Sequence, residues 1–260
     1  MGLDELKLRQ LFSKETTDLV VYDSIDSTNT EARRRLKDGT LKTETLFTAD
    51  HQTAGRGRTG HSFYSPADTG VYWSLAWKAE EDLKPERVTI AAAAASVEAV
   101  RTVTDKEIRI KWVNDLYDGH HKVAGILAER VMDRDGQPWI VLGIGINCVK
   151  QEFPEEIAAT AGSLEISREQ REELIYNLWV KMEEYLHHKP WEEVIGTYRA
   201  MSLVCGKTIH YRENGQIREG LAEDIENDGS LRINCEGEIL HVSCGEISIL
   251  DWTGSGHSEI

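Results

Sequence analysis

Residues 138–147, PWIVLGIGIN, constrain the fold more than any other stretch of the chain. So apolar a run is compatible with a central strand, one that needs neighbours on both edges. Its second half is opened by Gly143 and Gly145, and small residues on a strand let a ligand approach the backbone. Candidate neighbours are legible nearby. TETLFTA (43–49) and GVYWSLAW (70–77) read as strands, and RVTIAAAAASVEAVRTV (87–103) is a long apolar segment between strand-like runs. In EIRIKWV (107–113), Ile108, Ile110 and Trp112 alternate with Arg109 and Lys111, which predicts a half-buried strand with Lys111 directed away from the core. Alternating strand-like and helical texture up to about residue 200 predicts an α/β or α+β domain.

The first eighteen residues are polar and lead into a strand signal at Leu19-Val20-Val21-Tyr22. Residues 168–188 carry Leu174, Leu178, Met182 and Leu186 at four-residue intervals, an amphipathic helix with Trp179 near the same face, and Pro190 opens a second short helix. Past about residue 202 the pattern changes to short alternating runs split by Asn214-Gly215, Asp228-Gly229 and Glu236-Gly237, the signals of hairpins in a small β-barrel. The expected division is a main domain over 1–201, a barrel over 202–252 and a disordered polar tail over 253–260.

Charge narrows the function. Lys+Arg 30 against Asp+Glu 45 leaves a formal net charge of −15, which opposes the counterion release that drives nucleic-acid binding and argues against DNA. Cys148, Cys205, Cys235 and Cys244 form no C-x-x-C pair, so they are expected as reduced thiols in a cytoplasmic protein. No signal-peptide core and no membrane-length apolar run is present. His120-His121 and His187-His188 are read as solvated residues, with no Cys or carboxylate at ligand spacing.

The richest segment is His51-Gln52-Thr53-Ala54-Gly55-Arg56-Gly57-Arg58-Thr59-Gly60. Glycines free the backbone to present N–H groups, and arginines add fork-shaped donors, a combination suited to an anion. Gly55, Gly57 and Gly60 also satisfy G-x-G-x-x-G, but the following His61-Ser62-Phe63-Tyr64-Ser65-Pro66 cannot open the helix that a dinucleotide fold requires. No H-R-D or D-F-G segment supports a kinase. Lys111 precedes a polar turn, Trp112-Val113-Asn114-Asp115, and Lys122 begins Lys122-Val123-Ala124-Gly125-Ile126-Leu127. Thr28 and Glu31 have capping-box spacing before a helix to about Lys37, which leaves Ser27 and Asn29 to bond a small polar ligand.

Together these segments resemble the biotin protein ligases. The Ser-Thr-Asn helix start (27–29), the G-R-G-R-x-G loop (55–60), the K-W-x-N-D turn (111–115), the K-x-x-G-I-L run (122–127) and the G-I-G-I-N strand (143–147) occur in that order, followed by the small barrel. The resemblance implies an α+β catalytic domain with a mixed sheet, followed by an SH3-like β-barrel. It implies an enzyme that joins biotin to ATP, forms biotinyl-5′-adenylate, and passes biotin to a lysine of the biotin carrier domain of acetyl-CoA carboxylase.

By the same resemblance, Ser27, Thr28, Asn29 and Gln52 would contact the biotin head, and Gly55, Arg56, Gly57 and Arg58 would cover the carboxylate and adenylate. Lys122 and Gly125 would border the biotin carboxylate. Lys111 and Asn114 would bind the phosphates with Mg²⁺, for which the protein alone supplies no site beyond Asp115, the residue that would orient or deprotonate the lysine amine. Asn147 would face the adenine, with Phe63 packed on it. Val113 departs from the family's usual proline, and Thr59 and His61 stand where bifunctional relatives have basic residues. Eighteen leading residues are too few for a winged helix, so the monofunctional type is expected, with homodimerisation left open. A lipoate or octanoyl ligase and a non-catalytic biotin-binding module are the alternatives. The polar set at 27–29 and 52 suits a ureido ring better than an aliphatic acid, and Lys111, Asp115 and Lys122 exceed what retention alone requires.

Overall fold

The computed structural model describes residues 2–213, 216–243, 245 and 247–250. The elements begin with α1 (Glu5–Leu11), β1 (Asp18–Ile25), α2 (Thr28–Asp38), β2 (Thr45–Gln52), β3 (Gly70–Lys78) and α3 (Pro85–Val103). They continue with β4 (Arg109–Lys111), β5 (Asp115–Asp118), β6 (His121–Met132), β7 (Pro138–Asn147), α4 (Glu155–Ala158), α5 (Arg171–Glu183) and α6 (Trp191–Ala200).

The strands form one seven-stranded sheet in the order β1-β2-β3-β7-β6-β5-β4. Only β1 and β2 run parallel, so the sheet is mixed. β7 lies between β3 and β6, the central place its apolarity demands. Its even-numbered Ile140, Leu142, Ile144 and Ile146 join the main core with α3 and α5, while Trp139 and Val141 pack on the other side with Ala32 and Leu36 of α2. At ~1.5–3 kcal/mol for each fully buried large aliphatic side chain, this two-sided cover holds the strand in place. Gly143 and Gly145 continue the α2-facing parity and leave the sheet open there.

Local chemistry explains most element ends. Pro85 occupies the first turn of α3, where its missing N–H costs nothing, and Ala91 to Ala95 let the helix sit close to its neighbours. The amphipathic stretch 168–188 is one 3₁₀ turn (168–170), then α5, then a π turn (184–188). Ser167 and Gln170 cap its start reciprocally, and Lys189, extended before Pro190, ends it. α2 corrects one expectation. Its N-cap is Ser27 rather than Thr28, and Glu31 turns to Arg34, Arg35 and Tyr22 instead of closing a capping box. Thr28 is thereby freed for another partner.

The C-terminal strands β8 (Lys207–Glu213), β9 (Gln216–Ile225), β10 (Leu231–Cys235), β11 (Glu238–Val242) and β12 (Ile247–Ile249) form an antiparallel sheet ordered β11-β10-β9-β8-β12, as expected of a small SH3-like unit. Gly229 and Gly237 sit at φ +89° and +96° in the turns flanking β10, so those two hairpin signals hold. The Asn214-Gly215 signal, Cys244 and the 253–260 tail lie outside the described residues. The small sheet docks through Trp112 Nε1, which donates to Gly229 O at 3.0 Å, and Trp191 Nε1, which donates to Asn227 O at 2.7 Å. Cys148, Cys205 and Cys235 are free thiols, and no helix among the described residues is long and apolar enough to cross a membrane.

Candidate active site

The N-terminus of α2, the loop after β2, the β4–β5 turn, β6 and the glycines of β7 surround a cavity of about 350 Å³. That volume suits a small-molecule site. One wall is polar and hydrogen-bonded within itself. Thr28 donates to Gln52 Oε1 through both its N–H (2.9 Å) and its Oγ1 (3.1 Å), and Gln52 Nε2 donates to Ser65 Oγ at 3.0 Å. Ser27, Thr28 and Asn29 are buried at 2%, 3% and 5% exposure, so their polar groups need partners or a ligand. Ser74 of β3, wholly buried, stands 2.6 Å from both Thr28 Oγ1 and Asn29 Oδ1. Its single proton serves one of them at a time.

The glycines have specific work here. A Cβ on Gly143 would lie 2.1 Å from Asn29 Oδ1, and one on Gly145 would lie 2.5 Å from Phe63 Cε1. Sheet and α2 therefore meet only because β7 lacks side chains there, and Phe63 lies over the gap. In the loop, Gly55 O accepts from Phe63 N at 2.9 Å and Gly57 N donates to His61 O at 2.7 Å. That use of the Gly57 amide leaves the arginine side chains as the main donors of the segment.

The charged wall carries Arg56, Arg58, Lys111 and Lys122 around Asp115, the one lining carboxylate among the described residues. Lys122 Nζ is 2.7 Å from Asp115 Oδ1. Arg58 Nη1 donates to Asn114 Oδ1 at 2.9 Å, and Asn114 Nδ2 in turn donates to Ile126 O at 3.0 Å, so the turn and β6 orient the guanidinium. Lys111 Nζ lies 5.6 Å from the centre of the Tyr117 ring. Burial first, and then the negative Asp115, push the Tyr117 hydroxyl up to about 12, so it stays protonated through the neutral range. In a chain of net charge −15 this is a locally positive cleft at a helix N-terminus, the electrostatics of a site for a carboxylate or phosphate.

Comparison with known proteins decides the family. Residues 21–147 match the Biotin/lipoate A/B protein ligase family, and residues 204–250 match the Biotin protein ligase C terminal domain. The biotin--[acetyl-CoA-carboxylase] ligase of Mycobacterium tuberculosis is 30% identical over 94% of this chain and 95% of its own length. The chain belongs to the biotin protein ligases. A structure of the Aquifex aeolicus biotin protein ligase in complex with biotin and ATP is similar to this ligase at a TM-score of 0.74, with 26% identity over 89% of this chain and 98% of that one. The bifunctional ligase/repressor BirA of Bacillus subtilis is 35% identical over 56% of this chain, a match spanning 46% of that protein.

Of the expected site residues, Ser27, Thr28, Asn29, Gln52, Arg56, Gly57, Arg58, Phe63, Lys111, Asn114, Asp115, Lys122 and Gly125 line the ligase's cavity. Gly55 and Asn147 do not. Gly55 supports the loop from behind, where a Cβ would meet Phe63 O at 2.4 Å. Asn147, at the far end of β7, donates through Nδ2 to Gly162 O at 2.9 Å. Sequence reasoning missed Ser74, whose only signal is one hydroxyl in an apolar strand, and Glu129 behind Arg56. It also missed Gly245, Ile247 and Ser248, which the small sheet of the ligase brings to the cavity rim.

The reading of His187 needs correction. Glu183 precedes it by one helical turn, and with Glu44 the three place ligand atoms within 4.8 Å of one another. A carboxylate at ligand spacing is therefore present.

Proposed function

We propose that the chain activates biotin with ATP and transfers it to a lysine of a carboxylase carrier domain. Attack of the biotin carboxylate on the α-phosphorus would form biotinyl-5′-adenylate and release pyrophosphate. Attack of the lysine amine on the carbonyl would then release AMP and leave an amide. The observation that carries this reading is a closed polar wall set directly against converging cations. Thr28, Asn29 and Gln52 line the cavity with both donor and acceptor groups, backed by the buried Ser74, and suit a ureido ring; an aliphatic acid would leave them unmatched. The cations answer the repulsion of carboxylate and phosphate, ~4 kcal/mol per pair of charges about 4 Å apart at an effective dielectric of ~20.

In this reading Lys122 and Arg58 meet the carboxylate and the developing charge at phosphorus, while Lys111 and Asn114 take the phosphates. Phe63 and the loop shield the mixed anhydride from water. Asp115, released when Lys122 turns to the ligand, accepts the proton of the incoming amine. Mg²⁺ favours oxygen donors and phosphates. Asp115 is the only carboxylate lining the cavity among the described residues, so it would hold the ion with the nucleotide, and the ion would neutralise phosphate charge. The division into 1–201 and 202–252, and a cytoplasmic location for a protein whose described cysteines are free thiols, belong to the same proposal.

The test is mass spectrometry of a purified biotin carrier domain after incubation with the protein, ATP, Mg²⁺ and either biotin or lipoate. A gain of one biotin that requires ATP is expected. Transfer of lipoate instead, or of neither acid, refutes the proposal.

A further inference from the structure

Arg56 and Arg58 are two residues apart in the loop, yet they meet different partners. Arg58 donates to the neutral Asn114 Oδ1. Arg56 donates through Nη1 and Nη2 to both oxygens of Glu129 on β6, at 3.0 and 3.2 Å. The same carboxylate accepts from Arg33 Nη1 at 3.0 Å and, at 3.4 Å, from Asn29 Nδ2 of the polar wall. Glu129 thus sits where α2, the loop and β6 converge. The bidentate carboxylate takes one Nη1 and one Nη2 hydrogen of Arg56 and balances its charge, so a second anion would meet an already paired guanidinium.

We propose that Glu129 is a positioning residue of the biotinylation reaction. It pins Arg56 as a strut, holds the 53–66 loop over the cavity, and fixes Asn29 toward the ligand, so that Arg58 is the loop arginine offered to the adenylate. The proposal rests on the biotin ligase reading and reassigns Arg56 within it. Without the pin, the loop remains tied at its base, where Thr53 N donates to Ile25 O and Phe63 N to Gly55 O, but its Arg56 side loses its hold on the sheet. Water then reaches the mixed anhydride. Its oxygen bonds to the biotin carbonyl carbon, the bond from that carbon to the phosphate oxygen breaks, and free biotin and AMP leave.

The experiment compares full-length wild type, Glu129→Ala, Glu129→Gln, Arg56→Ala, the Arg56→Ala/Glu129→Ala double variant and Arg58→Ala. For each, AMP released per biotin transferred, KM for biotin and for ATP, and thermal melting are measured. Trypsin cleavage after Arg58 in the ligand-free protein is followed in parallel. Glu129→Ala and Arg56→Ala should each raise the AMP-to-transfer ratio roughly tenfold, raise KM for biotin more than KM for ATP, and speed cleavage after Arg58. The double variant should be no worse than either single, as coupled partners require, and Glu129→Gln should recover part of the function. Arg58→Ala should instead stop adenylate formation.

Additive single effects would overturn the proposal, as would an unchanged AMP-to-transfer ratio with activity falling only in step with melting temperature. An Arg56→Ala enzyme that behaves like Arg58→Ala would also overturn it. A wild type that transfers no biotin refutes the reaction itself. The trypsin rate then decides the pin alone, and no acceleration in Glu129→Ala sinks it.

Discussion

Lys122 and Asp115 face each other across the β5–β6 pair, with Nζ 2.7 Å from Oδ1 and both side chains partly shielded inside the cavity. Each holds the charge the other needs until a ligand arrives. In the proposed reaction an entering carboxylate would compete for Lys122 and leave Asp115 to take a proton. Lys122→Ala should therefore cut adenylate formation by ~10²–10³-fold, the scale of losing one donor at a developing charge, with the fold retained. Asp115→Asn should slow transfer from preformed adenylate more than adenylate formation. Single-turnover pyrophosphate release and single-turnover transfer separate the two steps. Equal losses in both steps for Asp115→Asn would contradict this division of labour.

Gly143 admits Asn29, and any Cβ there would stand 2.1 Å from its amide oxygen. Gly143→Ala should push Asn29 off Ser74 and weaken biotin binding at least roughly tenfold while leaving ATP binding within about twofold, because the displaced amide can no longer match the ring. Titration calorimetry with each ligand reads this. Unchanged biotin affinity would mean that Asn29 does not contact the ring.

Arg171 is 1% exposed and donates to Asp50 Oδ1 at 2.8 Å, and Asp50 Oδ2 accepts from Asp68 N at 3.1 Å just before β3. Removing Arg171 leaves the buried Asp50 carboxylate without its cation. Arg171→Ala should cost ~3–5 kcal/mol. For a chain of this length that lowers the melting temperature by roughly 6–20 °C. Calorimetry that finds a shift under about 2 °C would show the pair to be dispensable.

Glu183 is held above the usual carboxylate range, first by burial and then by the charge of Glu44, with Glu15 adding to the rise and His187 and His188 opposing it. Its oxygen Oε1 is buried without a hydrogen-bond partner among the described residues. A carboxyl group raised in the folded state is tolerated while protonated, and it costs stability as pH climbs from its unfolded value through its folded one. Glu183→Gln should thus stabilise the protein at neutral pH, and the gain should fade as pH falls through the raised folded value and be gone near pH ~4, where the unfolded carboxyl is protonated as well. Melting curves from pH 4 to 8 test the sign. A gain that is constant with pH would exclude ionisation as the cause.

Strongly patterned runs are legible in the linear chain. β7 spans the residues its apolarity marks, α3 follows the alanine-rich segment closely, and the motifs at 27–29, 52, 56–58, 111–115 and 122–125 converge on one cavity. Periodicity and glycine placement are local properties, so no tertiary contact is needed to read them. The capping-box reading of Thr28 fails because spacing alone cannot tell whether a hydroxyl bonds its own helix or a glutamine on a strand. Spacing likewise does not show that Asn147, at the end of the expected strand, gives its amide to Gly162 O.

The amino-acid sequence by itself determined the mixed α+β architecture, the central strand, the small C-terminal sheet and the chemical character of the site. Those follow from burial patterns and from residue types that a helix or strand displays wherever it lies. The tertiary structure alone decided which groups share a hydrogen bond. It placed Ser74 under Thr28 and Asn29, Glu129 behind Arg56, Asp115 against Lys122, and Glu44 beside Glu183 and His187. Such pairings join residues from tens to more than a hundred positions apart or across neighbouring strands. Their free energy depends on distance and desolvation, which exist only once the sheet and its helices have closed around them.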